Sequence, residues 1–105
     1  MTFLAVVTTV GSLAEAQRMA RTLVERGLAA CAQISEIESF YTWGGTVQIE
    51  KEHRVLFKTT GAMYDAVELA IRELHSYDLP AVHAYAIERI YEPYAAWLES
   101  SCHGK

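Results

Sequence analysis

The sequence predicts an α+β domain in which two helices cover one face of a four-stranded antiparallel sheet. Three observations lead there. Strand-like and helix-like apolar periodicities alternate in the order β-α-β-β-α-β. The pair Gly44-Gly45 sits between two β-prone arms, which is a hairpin signal. And 105 residues, 51% of them hydrophobic and 21% charged, make one two-layer core with no room for a second. Residues 1–105 are therefore read as a single domain.

Residues 3–9, FLAVVTT, are apolar and rich in β-branched types, so they predict a strand with both faces buried. Gly11 and Ser12 end it. Ser12-Leu13-Ala14-Glu15 reads as a capping box, with Glu15 reaching back to the Ser12 amide. The helix it opens runs to Arg26, with Ala16, Met19, Ala20, Leu23 and Val24 at helical spacing and Gly27 as its terminator. Residues 31–43, CAQISEIESFYTW, are a strand in which Ile34 and Ile37 fall out of phase; a β-bulge between them would restore the alternation.

Past the glycine pair, Val47, Ile49, Val55 and Phe57 share one face, with Thr46, Gln48, Glu50, Glu52, Arg54 and Lys58 on the other. Each hairpin arm exceeds a dozen residues, against about five or six for an ordinary strand. Such a ribbon overhangs its domain, and its unpaired edges invite another chain. Gly61–His75 is the second helix, with Tyr64, Val67, Ile71 and Leu74 as its buried stripe and Glu68–Arg72 as a surface pair. VHAYAIERI, residues 82–90, is the last strand. A short C-terminal helix opens at Glu92-Pro93, with Tyr94, Trp97 and Leu98 on one face. The whole is a ferredoxin-like βαββαβ sandwich with a long β-hairpin and a short C-terminal helix.

Composition excludes several functions. Net charge is −4 with no block of either sign, which argues against nucleic acid as a partner, because phosphate binding needs a clustered basic face. An RNA-recognition module shares the element order, but its basic aromatic signature is missing from 46–58. The opening MTFLAVVTTV has no basic flank and too short an apolar run for a signal peptide or membrane span, so no membrane association and a cytoplasmic location are expected. Cys31 and Cys102 are too few for a disulfide framework and are read as free thiols. The sequence carries no C-x-x-C, H-E-x-x-H, phosphate-cradling glycine loop or G-x-S-x-G, and no acid, base and nucleophile at a spacing that demands chemistry. It is read as a non-enzyme.

The stretch ELHSYDLP, residues 73–80, draws attention because it gathers an imidazole, a phenol and a carboxylate in one turn. Together with LAACAQI (28–34), YTWGGTV (41–47), EHRVLFKTT (52–60) and AIERIYEPYAAWL (86–98), it resembles the CutA family of divalent-cation tolerance proteins. The resemblance runs from about residue 4 to about residue 100, in order and at matching spacings. It implies a fold similar to the PII signalling proteins and a homotrimer in which long hairpins pair between subunits. It implies a role in divalent metal tolerance, with Cu(II) or another divalent cation as the ion concerned and no cofactor required. The family's His-Pro-Tyr-Glu is His75-Ser76-Tyr77-Asp78 here. Some bacterial members described as copper-binding carry a cysteine at the position of Thr8 and histidines at those of Leu74 and His75. Only His75 is matched.

On this reading Cys31, Trp43, Lys58, His75 and Tyr77 are the candidate ligand-binding residues of an intersubunit cleft, and His75 is the candidate metal ligand. Each has a plainer reading. His75 can end a helix against its negative pole, Cys31 can be a small packing residue, Lys58 can be solvated, and Trp43 and Tyr77 can be interface anchors. The alternative function is a PII-like sensor of a small anionic metabolite, with Lys58 and His75 supplying positive charge. Cys102-His103 is a metal-capable pair by residue type, on a terminal segment.

Overall fold

The computed structural model describes residues 2–104. Its elements are β1 (Phe3–Val10), α1 (Leu13–Glu25), β2 (Cys31–Trp43), β3 (Thr46–Thr60), α2 (Tyr64–Leu74), β4 (Val82–Ala86) and α3 (Glu92–Ser101), with a single 3₁₀ turn at Gly61–Met63 leading into α2. The sheet order is β2-β3-β1-β4, and every pairing is antiparallel. This is the ferredoxin-like arrangement the element order predicts.

β1 lies in the middle of the sheet, which is why its sequence is apolar on both faces. Its Val6 and Val10, with Val55 and Phe57 of β3, meet Ala16, Met19 and Leu23 of α1 and Val67, Ala70 and Ile71 of α2 in the main core. A smaller cluster packs Leu98 of α3 against Phe3 and Ala30, with Ile87 and Ile90 at its margin. That second cluster explains why β4 is shorter than expected. Ile87 gives its N–H to Phe3 but the chain then leaves the ladder, and Ile90 turns in under α3. The apolar run to 90 serves packing; as a strand it ends at Ala86.

Two further expectations give way. No bulge separates Ile34 from Ile37: the hairpin pairs one to one from Cys31↔Lys58 to Trp43↔Thr46. Ile34 sits opposite Val55 and Ile37 opposite Glu52, so the two isoleucines do face opposite ways. The Glu68–Arg72 pair does not form; Glu68 instead accepts the Tyr64 hydroxyl at 3.0 Å. Beyond Val10↔His53 the hairpin has no β1 partner and projects from the sheet, giving a molecule 46 × 26 × 21 Å. Phe40, Trp43, Val47 and Ile49 on this projection are 61–66% exposed.

The candidate functional site

Helix α2 ends at Leu74, and His75 takes an extended conformation with φ −76° and ψ 140°. Its ring turns away from its own helix toward β1. The Nε2 atom lies 2.9 Å from the Thr9 carbonyl oxygen, and Nδ1 receives the Tyr77 N–H at 3.1 Å. A carbonyl only accepts and a backbone N–H only donates, so these partners assign the neutral tautomer with the proton on Nε2. The Glu15 carboxylate stands 3.9 Å from Nδ1, beside this arrangement. The side chain is wholly buried. His75 therefore neither caps α2 through its carbonyls nor keeps a free nitrogen for a ligand: it ties the loop after α2 to the end of β1.

The rest of the loop is held as firmly. Ser76 donates its N–H to Glu15 Oε2 at 3.0 Å and its hydroxyl to Oε1 at 2.9 Å. The capping box at the start of α1 is thus only half made. Ser12 accepts the Glu15 N–H at 3.1 Å, while the Glu15 carboxylate reaches across to Ser76. Tyr77 packs on His75 with ring centroids 4.9 Å apart and donates its hydroxyl to Glu52 Oε2 at 2.9 Å. Gly11 lies under the phenol, where a Cβ would stand 3.2 Å from its oxygen. Burial, then the hydrogen bond to Glu52 and its charge, push the Tyr77 phenol well above its ordinary value. It stays protonated and acts as a donor.

Cys31 and Lys58 meet elsewhere, as direct partners where β2 joins β3. The Lys58 ammonium lies 5.4 Å from the centre of the Tyr94 ring, and Tyr94 stacks on Trp97 at 5.5 Å. Among the described residues Lys58 has no carboxylate within ion-pair distance. Trp43 is at the far tip of the hairpin. The five residues thus occupy three places in one chain. His75 and Tyr77 stand at the Thr9 end of β1, Cys31 and Lys58 stand level with Ala5, and Trp43 stands beyond the sheet.

The residues present in one chain do not fit a divalent cation. Both nitrogens of His75 are taken, Thr8 is fully buried with its hydroxyl unpartnered, and Leu74 offers no ligand atom. No group of three histidine, cysteine, aspartate or glutamate side chains that could hold a metal exists among the described residues. Cys102 and His103 diverge too: the thiol lies 3.7 Å from the Thr59 hydroxyl, and the imidazole packs over Gly27. Sequence reasoning missed Glu15 and Glu52. Their partners lie 61 and 25 positions away, a separation no local pattern reveals.

Fold and site define a class: a ferredoxin-like α+β protein with an overhanging hairpin and a buried, polar loop anchor. Residues 4–101 match the family described as CutA1 divalent ion tolerance protein, and the chain belongs to that family. It is 34% identical over 93 residues to the divalent-cation tolerance protein CutA of Archaeoglobus fulgidus, covering 89% of this chain and 91% of that one. The Pyrococcus horikoshii protein of the same name is 33% identical over equal shares. Among solved structures, CutA1 from Oryza sativa superposes with a TM-score of 0.96 at 32% identity, over 100% of this chain and 97% of that one. The Archaeoglobus fulgidus structure, described as a periplasmic divalent cation tolerance protein, gives 0.94 at 32% identity over 96% and 99%. No helix among the described residues is long and apolar enough to cross a membrane.

Proposed function

We propose that this chain serves divalent-cation tolerance as a cytoplasmic, non-enzymatic homotrimer whose ligand clefts form between subunits. The observation that carries this reading is the position of Trp43. It stands at the tip of a projecting hairpin, exposed together with Phe40, Val47 and Ile49, and cannot share a site with His75 or Lys58 of its own chain. A neighbouring chain gives those apolar groups something to bury against and brings a tryptophan to another subunit's loop. Cys31 and Cys102 are both free thiols, which agrees with a reducing compartment.

For the ligand, the lone Lys58 favours a small anion, in keeping with a PII-like sensor. Direct binding of Cu(II) or another divalent cation at His75 requires a ring nitrogen to be released and further ligands to come from a neighbour. Calorimetry separates the two. Saturable heat with a small carboxylate or phosphate, lost in Lys58→Ala, supports the anion reading. Saturable heat with Cu(II), lost in His75→Ala, supports the cation reading. Heat with neither contradicts the cleft.

A further inference from the structure

Two carboxylates are buried among the described residues, Glu15 and Glu52, each with 7% of its surface exposed. They come from different elements, the first turn of α1 and the root of the hairpin overhang. Both are spent on the same three residues. Glu15 takes the N–H and hydroxyl of Ser76 beside the His75 ring, and Glu52 takes the hydroxyl of Tyr77. Neither pairs with a lysine or arginine among the described residues.

Burying a carboxylate is costly, and acidic side chains are seldom fully buried without a counter-charge. Here the compensation comes from N–H and O–H donors, which satisfy the oxygens but gain less than a cation would. A loop that had only to connect α2 to β4 would be held more cheaply by apolar contacts. What the carboxylates add is direction. Ser76, fixed by two bonds, sets the course of the backbone into Tyr77, and the Tyr77 N–H in turn selects the acceptor nitrogen of His75. Glu52 then fixes the far end of the Tyr77 ring against Gly11.

We infer that Glu15 and Glu52 are positioning residues that hold His75 and Tyr77 in one orientation and one tautomer, in advance of any ligand. The inference rests on the cleft reading for what the orientation is for, but not for its geometry. It makes the loop a preorganised element, with both rings fixed by bonds within the chain before any neighbouring subunit or ligand arrives. Because Glu52 stands where the hairpin leaves the sheet, its bond to Tyr77 ties the loop to the segment that carries Trp43.

The test is made on the assembled protein by NMR, reading His75 ring ¹⁵N shifts and amide exchange without any ligand. In Glu15→Ala, exchange at the Ser76 amide should rise at least about tenfold, the effect of losing one charge-assisted bond. The His75 nitrogens should lose their separate donor and acceptor shifts while the β1–β3 ladder amides keep their protection. Glu15→Gln retains one carbonyl acceptor and should fall between wild type and alanine. Unchanged exchange at Ser76 with an unchanged His75 pattern overturns the inference. So does protection lost evenly through the ladder, which marks Glu15 as a general structural residue. If the alanine variant does not fold, the isosteric glutamine variant decides on the same criteria. Neither readout involves Cu(II) or an anion, so the outcome stands apart from the titrations of the cleft.

Discussion

Replacing Tyr77 by phenylalanine removes one oxygen atom and leaves the ring to pack on His75 as before. The hydroxyl donates to Glu52 Oε2 at 2.9 Å, and Glu52 is 93% buried, so the change strands a carboxylate oxygen. Leaving a buried acceptor unsatisfied costs about 1–3 kcal/mol, and the small exposed part of Glu52 lets water relieve some of it. A loss of about 1–2 kcal/mol is therefore expected near neutrality, or roughly 4–16 °C in Tm for a domain of this size. The pH dependence gives a second check. The folded-state pKa of Tyr77 is raised above the ordinary 10.0, first by burial and then by Glu52. Its contribution is fully present below that ordinary value and is lost as pH rises through the folded-state value, because the unfolded chain releases the proton first. The wild type should lose up to about 1.4 kcal/mol per pH unit above pH 10 from this group, and the phenylalanine variant should not. Urea unfolding followed by circular dichroism, at fixed protein concentration and stepped pH, measures both proteins. A neutral-pH difference under about 0.3 kcal/mol, or a difference that stays constant past pH 10, refutes the reasoning.

Phe57→Ala should cost about 3–5 kcal/mol by denaturant unfolding, since Phe57 is fully buried between β1, α1 and α2. Gly27→Ala should cost about 1–2 kcal/mol, because Gly27 holds φ +68°. It should also displace His103, whose ring occupies the space a Cβ needs; an unchanged His103 resonance is evidence against that contact. Excess EDTA should leave Tm within about 2 °C, since the main core cluster is made of apolar side chains; a large drop reveals a structural metal.

Much of the fold is legible because local chemistry and tertiary contact agree. Ser12 caps α1, Gly27 ends it with positive φ, and Gly44-Gly45 turns the hairpin as their types demand. The errors arise where an apolar residue is not buried in the sheet core. Ile34 and Ile37 invite a bulge only if both must reach one core, yet neither belongs to it: Ile34 is 36% exposed, Ile37 lies just past the last β1–β3 pair, and the ladder stays regular. Ile87 and Ile90 look like strand residues but pack beneath α3. In the site, the sequence points to His75 and Tyr77 but not to what holds them. Glu15 reads as a capping residue and Glu52 as one of the polar residues opposite the apolar face of its strand, and only the folded chain brings them to the loop.

The claim that the site is completed between chains is tested most directly by mass. Light scattering at about micromolar concentration should give three times the 11.7 kDa chain mass, with no folded monomer on dilution. Trp43→Glu at the exposed hairpin tip should lower that mass while keeping β-sheet circular dichroism. A stable, folded species of 11.7 kDa in the wild type contradicts the account, for then Trp43 has no subunit to serve.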